Sequence, residues 1–243
     1  MCPTQNEPSE LSKPWQTKAW IQVLAAALGV LPIYLGLIIL QLLSGKQLSV
    51  QAFTLYLGVI SPLAIVIALL LLRFLCREKL RDLNLRSGKL SSDLLAVLIL
   101  SLVIIAANVI SQRFLSELFP NSPSNTSVRY LFAELAGNSK LFVLFVGLFF
   151  LGAASEEVIR VFFLSRLWKV WPSTIGKLLV VVISACLFGL IHLYRGPVIA
   201  TWTAIFGLIT ALYYLRFGRI VPLILSHFLT NVLQLVVFAL SAR

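Results

Sequence analysis

Seven continuous apolar runs, parted by short polar stretches, organise this chain: Trp20–Leu43, Phe53–Leu75, Leu94–Phe114, Leu141–Ser165, Thr174–Tyr194, Val198–Leu215 and Ile220–Leu240. Each has close to the roughly 20 residues with which a helix crosses the hydrocarbon core of a bilayer. The runs do not alternate apolar with polar, so strands of a membrane barrel are excluded. Punctuation agrees with these edges. Ser92 and Asp93 offer N-caps to the third helix, and Pro222 falls in the first turn of the seventh, where a missing N–H does no harm. Pro32 and Pro62 lie inside the first two helices and are expected to kink them. The first run is too long for a signal-peptide core and reads as an uncleaved span. The predicted fold class is all-α, a polytopic transmembrane helix bundle of about seven helices. Three regions follow: a polar tail over 1–19, helices 1–3 with a loop over 20–140, and helices 4–7 over 141–243.

Composition turns that pattern into a statement about solvent. Of 243 residues, 59% are hydrophobic and 12% charged, and the mean hydropathy is +0.96. A soluble domain carries roughly 45–50% apolar and about 25% charged residues. An ordinary soluble globule, a disordered chain and a collagen-like fibre are therefore excluded, and the bilayer is the first partner. The net charge of +11 is read by position, because loop bases report topology. With the N-terminus in the cytoplasm, thirteen Lys and Arg fall on the inner side and six on the outer, Arg160 lying within a span. The predicted orientation is N-terminus inside, C-terminus outside, as in a bacterial-type plasma membrane. No basic stripe interleaved with aromatics appears, so no nucleic-acid partner is expected. Cys2, Cys76 and Cys186 are too few and scattered for a disulfide framework or a metal knuckle. Residues 76–93 alternate bases with leucines, as either an interfacial amphipathic helix or a solvated loop does. Asn125-Thr126-Ser127 is a glycosylation acceptor pattern that matters only in a secretory pathway. No internal repeat is visible.

Ionisable groups within spans are costly and mark function. Here they are few: Glu156, Glu157 and Arg160 in the fourth helix, His192 in the fifth, His227 with Asn231 in the seventh. The third span offers only Asn108, Ser111 and Gln112, and Asn108 reads as interhelical packing. His227 and Asn231, four apart, share one helix face, as do Phe188 and His192. Glu156 and Glu157 point about 100° apart, so they serve different tasks. Arg160 is within reach of either. A carboxylate beside an imidazole draws a proton from water, and a second imidazole with an amide stabilises an oxyanion. Alternatively Glu156, His192 and His227 form a two-His, one-carboxylate set suited to catalytic zinc. Both versions attack a carbonyl.

Glu156-Glu157, Phe188-x-x-x-His192 and His227-x-x-x-Asn231, in this order on successive helices, resemble the CPBP family of intramembrane proteases, which comprises the CAAX prenyl proteases and the bacteriocin-processing or self-immunity proteins (Abi family). The similarity spans about residues 141–235 and includes Gly207 and the run Ile220 to His227. The resemblance implies that Glu156 with His192 activates water, that His227 and Asn231 form the oxyanion site, and that Glu157 supports them. It implies either a metal such as zinc or none, and a peptide or protein substrate near the membrane. One departure stands out. The family pattern is Glu-Glu-x-x-x-Arg, whereas here Arg160 comes one residue early and Val161 holds the expected position. Arg160 is thereby spaced to pair with Glu156 at i, i+4 or with Glu157 at i, i+3.

Drawn as straight parallel helices, the fifth and seventh set His192 and His227 at different depths. Assembly of the site therefore predicts that Tyr194–Pro197 dips into the bilayer. An intramembrane endopeptidase is the leading function. A non-enzymatic immunity or adaptor module of the same fold is the alternative, and a transporter, which would show two related halves, ranks last.

Overall fold

A computed structural model describes residues 18–44, 49–79, 88–120, 131, 132, 134, 135 and 137–241. The expectations for the tail over 1–17, for Cys2, for the central part (80–87) of the basic loop and for Asn125 lie outside the described residues. Seven long helices carry the described chain: α1 (Ala19–Ser44), α2 (Val50–Leu75), α3 (Leu90–Leu118), α4 (Ser139–Val170), α5 (Thr174–Leu190), α6 (Pro197–Phe217) and α7 (Val221–Ser241). Five of them, α1 to α4 and α6, are long and apolar enough to cross a membrane; α5 is a shorter apolar helix, and α7 is apolar over Val221–Val237. In hydrocarbon every backbone N–H and C=O needs an internal partner, which continuous apolar runs supply only as helices.

Several ends differ from the sequence reading. The third helix begins at Leu90, so Ser92 and Asp93 sit inside its first turn and are not its caps. Their oxygens serve another purpose: both accept from Arg219 Nη1 at 2.8 Å, and Asp93 also takes the Gly88 N–H at 2.7 Å. Side-chain caps do start three other helices, through Ser49 on Ala52 N–H, Asn138 on Leu141 N–H and Ser173 on Gly176 N–H. Before Pro62, α2 widens into a π-turn over Tyr56–Ile60, with Ser61 N–H reaching back to the Tyr56 carbonyl. A π-turn is one of the few ways a helix absorbs a register change beside proline.

The bundle is built round α4, which packs on α1, α2, α5 and α7, while α3 lies on α6 and α7. Large apolar side chains of α1 and α3, such as Leu35, Ile38, Leu98 and Leu102, face outward, as a lipid solvent permits. Charge gathers at one end. Glu78, just past α2, accepts from Arg166 at 2.7 Å and Lys169 at 2.6 Å near the end of α4, and Arg166 also reaches Gln22 of α1 at 3.3 Å. Arg219–Asp93 closes the same end between the start of α7 and the start of α3. Cys76 is buried beside this network, and burial pushes its thiol up.

The tightest helix pair is α5 with α6. A Cβ on Gly189 would stand 2.7 Å from the Ala200 carbonyl and 2.8 Å from Ala204 Cβ. Gly189→Ala forces the two backbones apart and destabilises by about 1–3 kcal/mol. A thermal melt of the detergent-solubilised variant checks this; a wild-type midpoint refutes it.

Candidate active site

Four elements converge beside the middle of α4: the turn after α5, the first half of α6, the first half of α7, and α4 itself. Adjacent Glu156 and Glu157 diverge as helical geometry requires. Glu157 is fully buried and turned to α7, whereas Glu156 lines a cavity.

Glu157 is the organiser. Its Oε1 accepts from the Arg160 guanidinium and from His227 Nδ1, the latter at 2.9 Å. Arg160 therefore takes the i, i+3 partner. The guanidinium lies against two aromatics, 4.5 Å from the Phe188 ring centroid and 5.7 Å from that of Phe206. Gly207 leaves room for it, since a Cβ there would lie 3.2 Å from Arg160 Nη1 and from Phe188. An ionised carboxylate only accepts hydrogen bonds, so Glu157 holds the proton of His227 on Nδ1. The opposite nitrogen, Nε2, stands 3.7 Å from Glu156 Oε2. The Phe206 ring packs against the imidazole at 4.7 Å and fixes its plane.

His192 is placed differently from the sequence reading, which runs the fifth helix to Tyr194. The helix stops at Leu190, and His192 opens a 3-10 turn over Leu193–Arg195. The cause is local: Gly196 takes φ 96°, a conformation glycine tolerates, and Pro197 disfavours helix in the residue before it. His192 Nδ1 lies 2.9 Å from the Phe188 carbonyl, an obligate acceptor, so Nδ1 donates and Nε2 keeps its lone pair. The Phe188 ring stands between the two imidazoles, 5.0 Å from His192 and 6.1 Å from His227. The turn lies against the middle of α4, because Tyr194 and Arg195 share a cavity with Gly152 and Glu156. This is the irregular segment at depth that assembly of the site demands, and it lines a cavity, where such backbone is tolerated.

Two openings meet here. A cavity of about 70 Å³ is walled by Tyr56, Gly152, Glu156, His192, Tyr194, His227 and Asn231 among others. A cleft of about 450 Å³ between α3, α6 and α7 shares His192, His227 and Asn231 with it. The sequence-predicted Glu156, His192, His227 and Asn231 thus line one connected space, with Glu157, Arg160 and Phe188 behind them. Sequence reasoning passed over Asn108, Gln112 and Gln234, which line the cleft, and Tyr56 and Tyr194, which line the cavity. Asn108 and Gln112 carried a usable signal, the same i, i+4 spacing as His227 and Asn231.

A zinc set of Glu156, His192 and His227 does not match this donor arrangement. Among the described residues no three His, Cys, Asp or Glu stand close enough together to hold a metal ion.

Residues 138–233, from the N-cap of α4 into α7, match a family model described as Rce1-like, type II CAAX prenyl endopeptidase Rce1-like. The motifs on those helices resemble that same CAAX protease group. No curated protein and no solved structure matches the chain.

Proposed function

With its last four helices matched to a CAAX prenyl endopeptidase family, this integral membrane protein is, we propose, an intramembrane endopeptidase that hydrolyses a peptide bond near the end of a lipid-anchored protein or peptide. One observation carries the reading. A single Glu157 oxygen holds both Arg160 and His227, so that His227 Nε2 faces Glu156 at the wall of a cavity shared with His192 and Asn231.

The chemistry follows from who donates. Water gives one hydrogen bond to Glu156 and the other to the free Nε2 of His192. Glu156 takes the proton as the water oxygen attacks the carbonyl carbon, giving a tetrahedral oxyanion. The Asn231 amide and protonated His227, flanked by Glu157 and Glu156, donate to that oxyanion. Collapse breaks the C–N bond, and the amine leaves with the proton held by Glu156. The competing reading, a non-enzymatic module, draws on Arg160 neutralising Glu156; the pairing of Arg160 with Glu157 speaks against it.

The test uses protein in liposomes with a farnesylated peptide ending in a C-a-a-X sequence, its unlipidated twin, and an unrelated transmembrane peptide. Release of the C-terminal tripeptide from the farnesylated peptide is expected. Asn231→Ala lowers kcat about 10²–10³-fold with little change in KM, the loss of one oxyanion donor. No release from any peptide overturns the reading, and an unaffected Asn231→Ala enzyme removes Asn231 from it.

A further inference from the structure

α3 brings no ionisable group to the cleft, yet it brings two amides, Asn108 and Gln112, and α7 adds Gln234 beyond Asn231. Asn108 is ill-suited to the role of interhelical glue. Its Oδ1 is sealed from solvent and accepts no hydrogen bond, an expensive state for an amide in an apolar surround. The neighbouring Ser111 hydroxyl goes to the main-chain carbonyl of Asn108 and leaves the side chain alone. The rest of the side chain lines the cleft, so a turn of the amide about χ2 brings that unpaired oxygen to whatever enters.

Spacing says what. Residues four apart on a helix are about 6 Å apart along it. An extended peptide repeats every two residues over about 6.6–6.8 Å and presents an unpaired N–H and C=O on each edge at that interval. A helix offers neither, since its backbone groups pair internally. We propose that Asn108 and Gln112, with Gln234 across the cleft, bind the main chain of an extended substrate segment and so hold it unwound beside His227 and Asn231. The inference rests on the peptide-hydrolase reading only for the identity of the occupant. Main-chain recognition of this kind accepts many side-chain sequences, as strand addition does elsewhere.

Binding tests it apart from catalysis. Glu156→Gln protein in nanodiscs is titrated with a fluorescein-labelled farnesylated nonapeptide ending in C-a-a-X, and with the same peptide N-methylated at alternate residues. N-methylation is expected to weaken binding about tenfold, and Asn108→Leu likewise. Combined, they weaken it no further than either alone, because both delete the same hydrogen bond. Gln112→Leu, one turn along the same face, repeats the test should Asn108→Leu not fold. Unchanged affinity in the leucine variants, fully additive losses, or no binding of the nonapeptide at all overturns the proposal. Wild-type cleavage with unaltered Asn108→Leu binding sinks the clamp and leaves the protease; the tenfold pattern without any cleavage does the reverse.

Discussion

Glu156→Gln lowers kcat by about 10³-fold or more while the melting midpoint stays at its wild-type value. The magnitude is that of a lost general base. The unchanged midpoint follows from geometry. The Glu156 carboxylate lies 3.7 Å from His227 Nε2, beyond hydrogen-bond range, and Arg160 is engaged by Glu157. Replacing one carboxylate oxygen by an amide nitrogen thus breaks no bond that holds helices together. KM for the peptide changes little, because the amides proposed to bind it belong to α3 and α7. Tripeptide release and circular-dichroism melts on the same preparation decide the matter. Substantial residual kcat in a well-folded variant moves the base elsewhere.

Glu157→Ala has the opposite profile and loses stability first. It strips the partner from Arg160, which is 5% exposed, and from His227 Nδ1, which is 7% exposed. Removing one member of a buried ion pair leaves an uncompensated charge and costs about 3–5 kcal/mol. Activity falls as well, because nothing then orients the His227 ring toward the site. Glu157→Gln retains an acceptor for one of the two partners and falls between Ala and wild type. Denaturant or thermal unfolding in micelles, followed by assay at a temperature where each variant is folded, separates the two losses. A Glu157→Ala protein as stable as wild type contradicts the shared-oxygen arrangement.

The seven helices were legible because hydrocarbon admits few alternatives: a run of apolar residues about 20 long is a helix there and nothing else. The site residues were legible for a related reason. Ionisable groups are scarce enough in lipid that Glu156, Glu157, Arg160, His192 and His227 stand out in the C-terminal half of the chain. Helix ends within apolar sequence were less so. Ile191 and Leu193 are as apolar as Leu190, so periodicity alone carried the fifth helix on to Tyr194, although Gly196-Pro197 already argued for an earlier stop. Ser92 and Asp93 look like caps by composition, but their oxygens are claimed by Arg219, more than a hundred residues on. Asn108 reads from the sequence as interhelical packing because an amide in a span is ordinary, and only the cleft beside it offers another task.

The 17-residue length of α5 has a consequence for the lipid itself. Such a helix is about 25 Å long, against a hydrocarbon slab of about 30 Å. Ile175, Leu178, Leu179, Val182 and Leu190 on its outer side are exposed, so the hydrocarbon slab abuts an apolar strip shorter than its own thickness. Hydrophobic mismatch of this sign is relieved by local thinning of the bilayer. The thinned rim ends at the turn that carries His192. Interfacial water is thereby brought toward the level of Glu156 from outside the bundle, and a substrate of the kind proposed, sliding along that flank, would meet both water and the proposed base without leaving the membrane.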